Sequence, residues 1–336
     1  MKCSTGHSSY QDRGMTNMTE NTNIWKNGIM GVVVGDALGC PVQFESREQV
    51  AGHPVTGMRG YDTFNLPEGS WTDDSSLTIA LLESLRRLNA VDPDDIMENF
   101  MKWLYDGEFT PYGESYDIGR GTMLAINNYR KNRDWRKCGG DEEWNNGNGS
   151  LMRIMPACLY CSEMLRRGDC TEQNAVETIH AVGGLTHAHI RSNIACGLYF
   201  FMTDEILTGD GSLQNRLQAG LTRGFAFYES YLTDRENLKY YDRLRDLDAF
   251  AAVPSDRVKG SGYVVDALEA AVWSLITSDS FERALLKAVN LGDDTDTVGA
   301  IAGGLAGLYY GYNQIPGDWL AAIKRREWIE EMCELQ

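Results

Sequence analysis

Apolar positions recur at helical spacing along most of the chain. Leu77, Leu81, Leu85 and Leu88 share one face after the polar run Thr72-Asp73-Asp74-Ser75. Ile96, Phe100, Trp103 and Leu104 do so after Pro93-Asp94-Asp95; Leu268, Val272, Leu275 and Ile276 form a third stripe; Phe281, Leu285, Ala288 and Val289 form a fourth. The segments 192–207, 214–232 and 236–249 also read as helical. Sustained apolar–polar alternation, the mark of a half-buried strand, is nearly absent. The pattern predicts an all-α protein with loops near 52–70, 107–120, 134–149 and 250–262. None of these loops is long or biased enough to divide it, so one domain is expected over 23–336, preceded by a flexible polar tail over 1–22.

Two glycine series sharpen this. Gly31, Gly35 and Gly39 are spaced by four, as are Gly299, Gly303, Gly307 and Gly311. Glycine costs about 1 kcal/mol relative to alanine inside a helix. Repeated on one face, its missing side chain lets another helix come close. Two central, tightly packed helices are therefore expected, with packing against each other one way to satisfy both series. The alternative for the first series is a strand, Met30 to Val34, entering a nucleotide-binding loop. GxxxGDxxG is not GxGxxG, however, and it lacks a P-loop lysine.

Composition narrows the function classes. Of 336 residues, 31 are Lys or Arg and 48 Asp or Glu, a formal charge of −17. Nucleic acid and anionic membranes require clustered cations, so neither is expected as a main partner. The basic run Arg130, Lys131, Arg133, Arg136, Lys137 is a local exception, read as a solvated face with an acidic docking partner as the alternative. No apolar stretch reaches the roughly 20 residues of a membrane span, and the start lacks a signal peptide's apolar core. A cytoplasmic monomer with reduced thiols is expected. Cys158 and Cys161 form a CxxC without a second pair or a nearby histidine, which suits small side chains on a buried helix better than zinc.

The most informative feature is a likeness between two distant segments. Thr72-Asp73-Asp74-Ser75 opens one apolar helix, and Asp293-Asp294-Thr295-Asp296-Thr297 opens the helix carrying the second glycine series. One carboxylate at a helix start is ordinary capping. Several exceed what capping uses, and if the two clusters converge they cannot all stay ionised without cations. Hard oxygen donors without His or Cys select Mg²⁺, Mn²⁺ or Ca²⁺. The plainer alternative is two independent surface caps. An EF-hand is disfavoured, since its glycine and terminal glutamate are missing. Asn145-Asn146-Gly147-Asn148-Gly149-Ser150 is either a phosphate-cradling loop or a plain polar turn. His187, in Thr186-His187-Ala188-His189, is a stacking or phosphate-binding candidate beside the plainer reading of a structural histidine.

In this order the segments resemble the ADP-ribosylglycohydrolase family. The resemblance runs from about Ile24 to Tyr312 through Gly35-Asp36-Ala37-Leu38-Gly39, Thr72-Asp73-Asp74, Gly149-Ser150-Leu151-Met152-Arg153, Thr186-His187, Gly262-Tyr263-Val264 and Asp294-Thr295-Asp296-Thr297. It implies a single orthogonal helical bundle and hydrolysis of a glycosidic bond to ADP-ribose or an ADP-ribosylated protein. It further implies two divalent cations, Mg²⁺ or Mn²⁺, held by Thr72, Asp73, Asp74, Asp294, Asp296 and Thr297, with Asp74 or Asp294 activating the water. Asp36, Gln43, Glu45, Asp117, Gly119, Asn148, Gly149, Ser150, Met152, His187, Gly262 and Tyr263 would line the substrate. Within that set Gly149 and Ser150 would meet the diphosphate, and His187, Gly262 and Tyr263 the adenosine. Many members carry glutamate where this chain has Gln43, with Glu45 two residues on. Glutamine cannot act as a base, so Glu45 substitutes, or the aspartates suffice, or the chain is a non-catalytic, crystallin-like member that binds ADP-ribose. Asp117 lies where some members hold the leaving group, which favours a cationic arginine acceptor.

Overall fold

The computed structural model describes residues 23–334; the expected tail over 1–22, with Cys3, lies outside the described residues. The α-helices are, in chain order, α1 (Ile24–Gly39), α2 (Arg47–Gly52), α3 (Asp73–Leu88), α4 (Pro93–Asp106), α5 (Arg120–Asn132), α6 (Met155–Arg167), α7 (Glu172–Gly184), α8 (Ile190–Thr208), α9 (Leu213–Tyr231), α10 (Leu247–Ala251), α11 (Val264–Ile276), α12 (Phe281–Val289), α13 (Thr295–Tyr310), α14 (Gly317–Ala322) and α15 (Arg326–Met332). Among the described residues the only extended pairings are isolated bridges, Gly140 with His187 and Gly147 with Tyr263. The protein is all-α, as the periodicity predicts.

The two glycine series meet. A β-carbon on Gly31 would stand 2.1 Å from the Gly303 carbonyl oxygen, one on Gly35 2.0 Å from that of Gly299, and one on Gly39 2.3 Å from that of Thr295. Numbers rise along α1 as they fall along α13, so the helices run antiparallel, backbone on backbone. Gly311 departs from the series: it ends α13 with φ 86°, where its glycine is needed for the turn rather than for the contact. This pair is buried nearly throughout and forms the heart of the molecule. It also brings the end of α1 to the start of α13, where the second acidic run lies.

The four apolar stripes become α3, α4, α11 and α12, with Leu88, Leu104 and Ile276 only partly covered or exposed. One expected helix is different. Residues Glu236–Arg245 form a 3₁₀ helix, and α10 begins only after Asp246, whose side chain accepts from the Ala249 N–H. Leu238, Tyr241 and Leu244 are the buried residues there, and their spacing of three matches three residues per turn. Cys158 and Cys161 lie buried on α6, and the seven described cysteines are free. The basic run is exposed and locally paired, Arg133 with Glu98 and Lys137 with Asp134.

Candidate active site

The site is built where α1, α3 and α13 meet. Neither Thr72 nor Asp294 caps its own helix through its side chain. Asp36, near the end of α1, caps α3 instead. Its two oxygens accept the Thr72 N–H at 3.0 Å each and the Thr72 hydroxyl at 3.0 Å; Oδ2 also takes the Ser75 N–H at 3.0 Å and hydroxyl at 2.5 Å. Both oxygens of Asp36 are thus engaged with the first turn of α3, and they fix Asp73 and Asp74 relative to the α1–α13 pair.

The two acidic runs converge. Thr72 Oγ1 lies 3.3 Å from Asp74 Oδ2 and 3.3 Å from Asp296 Oδ2, and Thr297 Oγ1 lies 3.4 Å from Asp74 Oδ2. Asp294 is held between two amides: Asn148 Nδ2 donates to Oδ2 at 2.6 Å, and Gln43 Nε2 faces Oδ1 at 3.4 Å. Asp117, in a left-handed backbone conformation, stands near Gln43 and Asp296, whose side chains favour its charged form. Glu45 stays apart. Its Oε2 lies 3.4 Å from His53 Nε2, and its backbone oxygen accepts the Asp293 N–H at 2.8 Å. Gln43, not Glu45, faces the cluster.

Crowding has an electrostatic consequence. Asp36, Asp73, Asp74 and Asp296 are buried. Burial pushes Asp73, Asp74 and Asp296 well above the ordinary carboxylate range, and the neighbouring carboxylates push them further. Asp36 rises to about 6 by burial, despite the opposing Thr72 and Ser75 hydrogen bonds. Burial also raises Asp117, against the opposing effect of Gln43 and Asp296. Among the described residues no Lys or Arg forms an ion pair with any of the six aspartates. Nor do three His, Cys, Asp or Glu side chains already stand at a metal-gripping spacing; hydroxyls and amides occupy the gaps between the carboxylates. Two buried oxygens of the site have no hydrogen-bond partner, Asp74 Oδ1 and Gln43 Oε1.

Asp294 marks a division between two flanks. On one, the Asn148 N–H donates to the Gly262 oxygen at 3.1 Å, and Gly262 lies against Asp294 Oδ2. His187 fills the space left by Gly121, Gly147 and Gly149: a β-carbon on Gly149 would be 2.7 Å from its ring. Its Nδ1 pairs with Thr186 Oγ1 at 2.8 Å, and burial lowers its pKa to about 3, so the ring is neutral. Ser150 is fully buried and its hydroxyl accepts from Cys196 Sγ at 3.6 Å, which leaves backbone rather than side chain to meet a ligand. Met152 is buried beside it, and Tyr263 accepts from Arg191 at 3.1 Å through its hydroxyl. On the other flank are Gln43 and Asp117; Gly119 precedes α5, its nearest neighbour Thr122.

Sequence reasoning passed over two arginines. Arg153 is fully buried, donates to the Gly149 and Val182 carbonyls and packs 5.0 Å from the Phe100 ring, so it braces the glycine loop. Its signal was a charge inside the apolar run Leu151 to Pro156, tolerable only with partners. Arg191 holds Glu143, Asn237 and Tyr263 together, and nothing local distinguishes it from a surface arginine.

Residues 23–336 match the family model described as ADP-ribosylglycohydrolase. The chain belongs to the ADP-ribosylglycohydrolase family. It is 30% identical over 319 residues to the ADP-ribosylarginine hydrolase Tri1 of Serratia proteamaculans, covering 94% of this chain and 79% of that protein. It is 28% identical over 296 residues to the ADP-ribosyl-[dinitrogen reductase] glycohydrolase of Rhodospirillum rubrum, covering 88% of each. A solved structure, an ADP-ribosylglycohydrolase-related protein complex, superposes with a TM-score of 0.72 at 30% identity, covering 93% of this chain and 96% of that one. No described helix of this ADP-ribosylglycohydrolase is long and apolar enough to cross a membrane.

Proposed function

We propose that this ADP-ribosylglycohydrolase hydrolyses the glycosidic bond between ADP-ribose and an acceptor, with the guanidinium of arginine as the leading acceptor. One observation carries the reading: buried carboxylates from the starts of α3 and α13 share a single site in which no described Lys or Arg forms an ion pair with them. Oxygen-only donors and the unpartnered Asp74 Oδ1 suit hard divalent cations. Thr72, Asp73, Asp74, Asp294, Asp296 and Thr297 are the residues that would hold Mg²⁺ or Mn²⁺. Bound there, the cations would supply positive charge that orients ribose hydroxyls and makes a water more acidic.

The rest of the chemistry belongs to the chain. Asp74 is the preferred residue to take the water's proton, because both oxygens of Asp294 already face amide donors. The carboxylates favour the oxocarbenium-like transition state of glycoside cleavage. Leu151 and Met152 donate their N–H groups to the Asn148 oxygen, whereas those of Gly149 and Ser150 have no acceptor among the described residues and suit a diphosphate. Asp117 favours a cationic leaving group, and the name of the Serratia relative, an ADP-ribosylarginine hydrolase, agrees with that acceptor. Gln43 favours a second reading, an ADP-ribose-binding protein without turnover. Incubating the protein with ADP-ribosyl-arginine and Mg²⁺ or Mn²⁺, then resolving the products, decides between them. Free ADP-ribose is expected; AMP would indicate a phosphohydrolase, and tight binding without products the non-catalytic reading.

A further inference from the structure

Three aromatic rings line the flank of Asp294 opposite the glycine loop. Phe44 follows Gln43 directly, is 66% exposed, and is held in a left-handed backbone conformation (φ 68°) by its N–H bond to the Asp293 oxygen at 2.7 Å. An exposed phenylalanine at positive φ combines two unfavourable features in one residue. Its ring meets Phe64 edge-on with centroids 6.2 Å apart, and Phe64 lies 6.0 Å from Tyr116. Thr63 ties this segment down, donating its hydroxyl to the Gln43 oxygen at 2.9 Å. Tyr116 donates its hydroxyl to the Trp71 oxygen, directly before Thr72.

Both ends of the row therefore adjoin residues of the site, Gln43 at one and Asp117 at the other, and the Gln43 side chain favours the charged form of Asp117. Tyr116 and Phe64 are partly buried, and Phe44 is exposed. Asp117 thus stands beside the row of rings, next to Tyr116 in the chain. A carboxylate followed by aromatic rings suits a planar, weakly hydrated cation, because a guanidinium pairs with the first and stacks on the second.

We propose that Phe44, Phe64 and Tyr116 form the acceptor-recognition wall of this protein, selecting a guanidinium over a neutral acceptor. The inference rests on the hydrolase reading above and deepens it. Phe44 is exposed enough for replacement without loss of the fold, and Phe64→Leu provides an independent variant that keeps apolar bulk. KM for ADP-ribosyl-arginine should rise about tenfold in Phe44→Ala and in Phe64→Leu, the order of one cation–π contact. KM for an ADP-ribosyl-serine peptide and the affinity for free ADP-ribose should change less than about twofold, and Phe44→Trp should restore the arginine KM. Unchanged arginine KM in both variants, or equal losses on all three ligands, overturns the proposal. Should the wild type release ADP-ribose from no conjugate, the hydrolase reading fails by itself, and calorimetry then judges the wall. Tighter binding of ADP-ribosyl-arginine than of ADP-ribose, lost in Phe44→Ala, supports it; equal binding in both proteins overturns it.

Discussion

Asp74 places one carboxylate oxygen against two hydroxyls and leaves the other buried with no partner. Its charge costs stability, since burial and Asp36, Asp294 and Asp117 all oppose it. Asp74→Asn removes one of the crowded charges. Without added metal its melting temperature should rise above wild type, while turnover falls about a thousandfold, the scale of a lost general base. Calorimetry and an ADP-ribose release assay on the same sample check both halves. His187 gives the pH behaviour. Its folded pKa, about 3, lies below the ordinary 6.5, so the unfolded chain binds the extra proton between those values. Its contribution to stability is complete above pH 6.5 and is lost as pH falls toward 3, about 2 kcal/mol by pH 5. Denaturant titrations at pH 7 and pH 5 should show a smaller difference in His187→Gln than in wild type.

At the scale of elements, the α1–α13 contact decides whether the site exists. Ordinary helix propensity predicts that glycine-to-alanine changes stabilise a helix by about 1 kcal/mol. At Gly35 the new methyl would meet the Gly299 carbonyl at 2.0 Å, so the helices must separate. Gly35→Ala should destabilise by up to about 3 kcal/mol, as overpacking does, and should reduce activity by shifting Asp296 and Thr297 relative to Asp74. Gly52, at the end of α2 with no neighbour within 4 Å of an added methyl, is the control and should tolerate alanine. Equal melting temperatures for the two variants would remove the close contact from the account. Asp36 links the third helix: it caps α3 from α1, so one buried side chain sets the register of the first acidic run against the second.

At the scale of the molecule, the concentration of negative charge predicts that divalent cations raise stability. The formal charge is −17, and the buried aspartates are its most crowded part. A ligand bound by the folded state alone stabilises it by about 2.7 kcal/mol at a hundredfold its dissociation constant. Mg²⁺ or Mn²⁺ should therefore raise the unfolding midpoint of the wild type, EDTA should reverse the gain, and Asp294→Asn should lose most of it. A midpoint indifferent to both cations in the wild type would count against cations at this site.

The all-α class, four of the main stripes, the paired glycine helices and both acidic runs are legible in the chain, because each depends on periodicity or on residue types adjacent in sequence. The segment 236–245 has the pattern of an α-helix but winds as 3₁₀, because Leu238, Tyr241 and Leu244 suit either winding until neighbours choose one. Folding alone decided that Asp36 caps α3, that Gln43 rather than Glu45 meets Asp294, and that Phe44, Phe64 and Tyr116 align. Those facts join residues far apart in the chain, through side chains whose direction is set by loops without a repeating pattern. A local sequence encodes which groups are offered; only the packed backbone determines which of them meet.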